Sequence, residues 1–135
     1  MLKVKYTFFL LFLSFFLGGC EESFPVYTTP LQNNRLSVPC LHYTVLEMQD
    51  KKRVEKAFGI KDDPQCAYRV ELTKYKIGAC NNPVVKSVGG DFNGYVRIEV
   101  KKGFTSYFKA QSDYKNDMDA AFQRVLREID SVTGP

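Results

Sequence analysis

The chain has little of what most recognisable active sites need. It contains no tryptophan, one histidine (His42) and four cysteines in 135 residues. It also has no GxSxG nucleophile elbow, no GxxxxGK phosphate loop, no CxxC pair and no HxxxH pair. These absences argue against an α/β-hydrolase, a P-loop enzyme and a metal site built from closely spaced ligands. We therefore predict neither catalytic residues nor a resident metal.

Length and charge restrict the class further. The chain is long enough for one compact domain and too short for two. Leaving out Lys3 and Lys5 reduces the 19 basic residues to 17, against 15 acidic residues. Because this near balance provides no strong positive field, we expect no nucleic-acid partner.

The first 19 residues have the layout of a secretory signal. Lys3 and Lys5 form a cationic start, and the segment that follows is almost wholly apolar as far as Leu17. A membrane-spanning helix needs about 20 apolar residues, and this run stops earlier, at Gly18 and Gly19. The pattern therefore predicts an export signal over residues 1–19.

The end of this segment, Leu17-Gly18-Gly19-Cys20, resembles the lipobox of bacterial lipoproteins. The resemblance implies that a signal peptidase cleaves before Cys20, whose sulfur carries diacylglyceryl and whose new amino group carries an acyl chain such as palmitate. Several acyl chains hold a protein to a membrane almost irreversibly. The implied partner is therefore membrane lipid, through covalent groups rather than a cofactor.

The resemblance also carries an expectation about location. Glu21 follows the cysteine, where enterobacterial lipoproteins retained in the inner membrane have aspartate. We therefore expect a cell-envelope protein, anchored at the periplasmic face of the outer membrane rather than at the inner membrane.

Residues 20–39 are predicted to be the lipidated N-terminus and an extended tether. Residues 21–39 contain three prolines and no helical or alternating apolar period. Nineteen residues span about 60 Å when fully extended and roughly 25 Å as a flexible chain. An alternative remains open, in which Phe24, Val26, Tyr27 and Leu31 attach this stretch to the domain.

The domain is predicted to occupy residues 40–135. The pattern indicates a strand from Cys40 to Met48, a short helix from Lys51 to Phe58 capped by Asp50, a strand from Gln65 to Ile77, a hairpin of Tyr95–Val100 with Phe104–Ala110, and a helix of about 15 residues capped by Asn116. This order predicts an α+β fold, in which a mainly antiparallel sheet packs against the C-terminal helix and the short helix, leaving its other face wet.

Alternation and helical spacing identify the predicted core. The core set is Cys66, Tyr68, Val70, Leu72, Val96, Ile98, Val100, Met118, Ala121, Phe122, Val125, Leu126, Ile129 and Val132. Four tyrosines on the predicted strands suit either an exposed aromatic binding face or sheet packing: Tyr68, Tyr75, Tyr95 and Tyr107.

With Cys20 assigned to lipid, Cys40, Cys66 and Cys80 allow one disulfide in an oxidising compartment. Cys66 and Cys80 flank a long strand, which separates them by about 40 Å. An antiparallel neighbour would bring Cys40 to Cys80, and a parallel crossover would bring it to Cys66. We predict the Cys40–Cys80 pair, which would close a loop of about 40 residues and add roughly 3 to 4 kcal/mol.

Two charged features have structural explanations. Asp117 and Asp119 suit the positive end of the last helix without a metal. Four basic residues on the short helix suit a solvated face, with an anionic partner as the alternative: Lys51, Lys52, Arg53 and Lys56.

The functional hypothesis is a non-catalytic envelope lipoprotein whose domain binds an envelope protein in assembly, maintenance or transport. The hairpin followed by an amphipathic helix is similar in element order to accessory lipoproteins of lipopolysaccharide assembly and of lipid-transporting ABC systems. The alternative is a lipoprotein that binds a small molecule or metal, with a free thiol near His42. A thiol enzyme would need a base beside a reactive cysteine.

Overall fold

The computed structural model describes residues 23–77 and 92–134. The predicted signal segment lies outside the described residues, as do the lipobox residues Leu17, Gly18, Gly19 and Cys20. Cys80 lies outside them as well.

A mostly antiparallel sheet and two helices form the described part of the chain. Their order is β1 Val26–Thr28, a 3-10 turn Gln32–Asn34, β2 His42–Tyr43, α1 Met48–Phe58, β3 Tyr68–Lys76, β4 Gly94–Lys102, β5 Thr105–Tyr114 and α2 Met118–Thr133. The strands lie in the order β1-β5-β4-β3-β2. All neighbours pair antiparallel except β2 and β3, which run parallel. The predicted α+β fold is confirmed.

The core lies between one face of the sheet and the helices. Strand residues Val70, Val96, Ile98 and Val100 are fully buried there. Helix α2 covers them with Ala121, Phe122, Val125, Leu126 and Ile129. Each large apolar side chain that is removed from water contributes about 1.5 to 3 kcal/mol. The predicted periodicities of β3, β4 and α2 are confirmed.

The helix starts differ from the predictions. Helix α1 begins at Met48, so that Asp50 lies in its first turn, is 5% exposed and pairs with Lys74 instead of capping the helix. It ends at Gly59, as predicted, in the left-handed conformation (φ 67°). The cap of α2 is Asp117, whose side chain accepts the Ala120 N–H at 3.0 Å, rather than Asn116.

Part of the predicted tether belongs to the sheet. Strand β1 pairs with β5, placing Val26 opposite Ser112 and Thr28 opposite Ala110. Leu31, Leu36 and Val38 also pack against the core. The alternative that attached this stretch to the domain is therefore the correct one, and the domain begins before Cys40. The reason is that β5 has an unfilled edge, which a short extended segment completes.

The disulfide joins Cys40 to Cys66, with Cα atoms 5.8 Å apart, and the predicted Cys40–Cys80 pair is wrong. The cause is the parallel pairing of β2 with β3, which places His42 beside Arg69. The two cysteines precede these paired strands on the same side. The parallel crossover, the arrangement that was not preferred, therefore decides the pairing.

Candidate functional site

Strand β1 is held at the sheet edge by a small polar cluster. Ser112 is fully buried, and its hydroxyl donates to the Pro25 carbonyl at 3.2 Å. Arg124 of α2 donates to the Ser112 Oγ at 2.9 Å and to the Asp113 carbonyl at 2.9 Å. Its guanidinium also lies 5.9 Å from the centre of the Phe24 ring. One helix side chain thus links the entering chain to β5, although nothing in the sequence pattern singled out Arg124.

The second feature is the sheet face opposite the helices, which we call the open face. Among the described residues, no helix covers this face. Alternation and register place on it Arg69, Glu71, Thr73 and Tyr75 of β3, Tyr95, Arg97, Glu99 and Lys101 of β4, and Lys109, Gln111 and Asp113 of β5. Four cationic side chains thus alternate with three acidic ones. Tyr75 and Tyr95 lie among them, and Tyr27 of β1, opposite Gln111, adds a third tyrosine. The predicted wet face is therefore polar, with mixed charge and an aromatic patch.

A row of contacting side chains crosses the open face. The Tyr75 and Tyr95 rings stack with centroids 5.1 Å apart, and the Arg97 guanidinium lies 4.8 Å from the Tyr95 centroid. Arg97 Nε donates to Gln111 Oε1 at 2.9 Å, and Gln111 Nε2 donates to Asp113 Oδ1 at 3.3 Å. These contacts restrict the conformations of the long side chains in the row.

Sequence reasoning found only part of this row. Of the four tyrosines, Tyr75 and Tyr95 lie together on the open face, whereas Tyr68 packs against the core and contacts Tyr107. The missed residues are Arg97, Gln111 and Asp113. The available signal was the hairpin register, because a turn at Gly103 places Arg97 opposite Gln111.

Further along the open face, Lys101 lies between two acidic side chains. Glu71 and Glu99 are direct cross-strand partners, an arrangement that is unfavourable for like charges. Lys101 Nζ lies 2.7 Å from Glu71 Oε2 and 3.4 Å from Glu99 Oε2. The Glu71 hydrogen bond raises the pKa of Lys101. Burial raises the pKa of Glu99, but the Ser106 hydrogen bond and the Lys101 charge outweigh it, and the net pKa is lowered.

A third cluster surrounds Asp62, which follows α1 and pairs with Leu41 beside β2. Its Oδ1 lies 2.9 Å from His42 Nδ1 and accepts the Tyr43 N–H at 3.0 Å. Its Oδ2 lies 2.5 Å from Lys51 Nζ. The Lys51 hydrogen bond, outweighing burial, lowers the pKa of Asp62 to about 2. The ionised carboxylate only accepts, so His42 Nδ1 carries the hydrogen in this contact.

This arrangement connects β2 to α1 and provides no nucleophile. The Cys40 sulfur, which the metal hypothesis placed on the same strand face as His42, is bonded to Cys66. Within residues 23–77 and 92–134, no three His, Cys, Asp or Glu side chains form a group that is able to hold a metal ion. His42 therefore bonds locally to Asp62, as a strand residue.

The acidic residues at the start of α2 and two of the basic residues of α1 have partners within the domain. Asp117 caps α2, and Asp119 lies 2.9 Å from Arg53 Nη1. Of the basic residues on α1, Lys51 bonds to Asp62, and Arg53 also lies 4.2 Å from the centre of the Phe122 ring. Lys51 and Arg53 are thus held by separate acidic partners and do not point to one anion-binding site.

An open cleft of about 480 Å³ lies between the β2–α1 connection and β3. Its charged lining residues are Glu47, Asp50, Glu71 and Lys74. Lys74 pairs with Asp50 and lies 3.9 Å from Glu47, whereas Glu71 pairs with Lys101. The carboxylates of the cleft are therefore paired with lysines, Lys74 within the lining and Lys101 outside it, rather than directed at a ligand.

The comparisons with known proteins add no family to these observations. No protein-family model, curated protein or solved structure matches the chain. Across the part of the chain that the structure describes, no helix is long and apolar enough to cross a membrane.

Proposed function

We propose that this protein is a lipid-anchored component of the cell envelope that binds another envelope protein through its open face and catalyses no reaction. The anchor is Cys20, cleaved and acylated in the manner of bacterial lipoproteins, after recognition of Leu17, Gly18 and Gly19. Its location is the periplasmic face of the outer membrane. Its roles are those of an accessory factor in envelope assembly, maintenance or transport.

The binding proposal rests on the row of contacting side chains that crosses the open face. The row consists of Tyr75, Tyr95, Arg97, Gln111 and Asp113. Tyrosine and arginine dominate the energetics of protein–protein interfaces, because each combines a large apolar area with directional hydrogen bonds. A face of mixed charge also suits the polar rim and paired charges of a protein surface better than a polyanion.

The anchor is tested by the intact mass of the native protein from membranes. The expected mass is that of residues 20–135 plus acyl groups, less two hydrogens for the disulfide. The expected thiol count before reduction is one, from Cys80. An unlipidated species would contradict the anchor without touching the proposal for the open face.

The open face is tested by site-specific photo-crosslinking in intact cells. A photoreactive side chain at position 73 lies opposite Arg97 on the open face, and one at Lys52 lies on the exposed side of α1 as the matched control. We expect one defined protein to crosslink from position 73 and not from position 52. Equal crosslinking from both positions would contradict an interface on this face.

The captured protein is then purified and titrated with the wild type, with Arg97→Ala and with Lys52→Ala. Removal of Arg97 is expected to weaken binding at least about tenfold, the effect of losing an interface hot spot. The Lys52→Ala variant is expected to bind like the wild type. Equal affinity of all three proteins would refute the assignment of the open face.

A further inference from the structure

We infer that the end of the sheet at which the chain enters β1 lies against the headgroups of the lipid bilayer, so that the strands run away from the membrane. The inference rests on the lipidation of Cys20 that is proposed above. It adds an orientation, which the acyl anchor by itself would not impose.

The first step is the length of the connection. Phe24 is four residues after Cys20, and four residues span at most about 14 Å when fully extended. A tether of nineteen residues would have allowed the domain to stand about 60 Å from the lipid. With Phe24 attached to the domain, its surface remains close to the headgroup layer.

The second step is that the attachment point is fixed on the domain. Strand β1 forms a ladder with β5, and after it the Thr29 N–H donates to the Lys109 carbonyl at 2.9 Å. Before it, Ser112 donates to the Pro25 carbonyl, and Arg124 lies over the Phe24 ring. The chain is thus held on both sides of β1, and it enters the domain in one place.

The third step is direction. Because β1 is antiparallel to β5 and Val26 lies opposite Ser112, the chain before Val26 extends toward the Tyr114 end of β5. The opposite end of the sheet is the hairpin turn at Gly103 and Phe104. Phe104 precedes Ser112 by eight residues, about 26 Å along a strand at 3.3 Å per residue. One end of the sheet is therefore held at the membrane, and the hairpin turn is held away from it.

The membrane-facing end contains a shallow cleft of about 490 Å³ around Ser23 and Phe24. Its charged lining residues are Asp117, Asp119, Arg124 and Arg127, two of each sign. The cleft itself therefore exerts no net attraction on anionic headgroups. We expect the covalent anchor, rather than the charges of the cleft, to hold this end in place.

The orientation gives the open face a defined direction. When the strands run away from the bilayer, the sheet stands roughly perpendicular to the membrane plane. Each of its faces then looks sideways along the membrane. The row from Tyr75 to Asp113 thereby faces a neighbour that is anchored in, or inserted into, the same membrane.

The absence of tryptophan provides a direct test. The lipidated protein is prepared with one tryptophan, either Gln123→Trp, which adjoins the cleft, or Phe104→Trp at the hairpin turn as the matched control. Both wild-type side chains are exposed. Each variant is reconstituted into phosphatidylcholine vesicles with and without a lipid that carries a nitroxide on its headgroup.

We expect the nitroxide lipid to reduce the fluorescence of Trp at position 123 about twofold and to leave position 104 nearly unchanged. Position 123 adjoins the end of the sheet that a connection of at most about 14 Å holds near the headgroups, and position 104 lies at the hairpin turn, about 26 Å along the strand from Ser112. Equal quenching at the two positions, or none at either, in protein that floats with the vesicles would overturn the orientation. Protein that does not float with the vesicles would instead overturn the proposed lipidation.

A second variant tests the role of the connection. Twenty Gly and Ser residues are inserted between Glu22 and Ser23 of the Gln123→Trp protein, leaving the anchor and the domain unchanged. We expect the quenching at position 123 to be lost. Retention of the full quenching would show that the short connection does not set the orientation.

Discussion

Replacing Asp62 by asparagine is expected to remove about 2 kcal/mol from the free energy of unfolding at neutral pH. The Asp62 side chain is 21% exposed and contacts both His42 and Lys51. The Lys51 hydrogen bond is the largest cause of the fall in its pKa from 3.8 to about 2. At about 1.36 kcal/mol per pKa unit, this difference gives about 2 kcal/mol, or a decrease in Tm of roughly 8 °C.

The effect has a defined pH dependence. Because the pKa of Asp62 is lower in the folded state, its stabilisation is complete above the unfolded pKa of 3.8 and is lost as the pH falls through about 2. The stability difference between wild type and Asp62→Asn is therefore expected to be fully developed at about pH 5 and mostly lost near about pH 2.

The measurement is urea unfolding, followed by circular dichroism and tyrosine fluorescence, at a series of pH values. Asp130→Asn is the matched control, because Asp130 is an exposed carboxylate on α2. It is expected to change stability by less than about 0.5 kcal/mol. The reasoning is refuted if Asp62→Asn costs no more than the control at pH 7, or if its cost stays the same down to pH 2.

Two further predictions test the corrected details. A non-reducing digest is expected to yield a linked peptide pair that contains Cys40 and Cys66, and a linked pair containing Cys80 would contradict the parallel pairing. The free energy of unfolding of the Cys40→Ser/Cys66→Ser protein should be lower by about 3 kcal/mol, because the disulfide closes a separation of 26 residues. Asp117→Ala should lower the free energy of unfolding by about 1 kcal/mol by removing the cap of α2, whereas Asn116→Ala should leave thermal unfolding unchanged. A larger loss of stability in Asn116→Ala than in Asp117→Ala would show that Asn116 is the cap.

Local residue patterns are sufficient to predict several elements of this fold. The apolar spacing of α2 from Met118 to Val132, the alternation of β4 and the turn before Phe104 each depend on residues a few positions apart. A segment with such a pattern turns its apolar face toward the core, whichever fold it belongs to. The α+β class and most of the core followed from them.

The candidate site could be predicted only in part. Tyr75 and Tyr95 were recognised as potential surface aromatics, but Arg97 and Gln111 became relevant only when the hairpin register placed them opposite each other. Asp62 had no local signal at all, since its partners come from β2 and α1.

Contacts between distant segments depend on the packing of the whole domain. Strand β1 exists because β5 offers it an edge, and the short proline-flanked segment has no strand pattern of its own. The disulfide depends on whether β2 lies parallel or antiparallel to β3, which the spacing of Cys40, Cys66 and Cys80 does not encode. Pairing between segments far apart in the chain is set by how the whole core packs, and local periodicity carries no information about it.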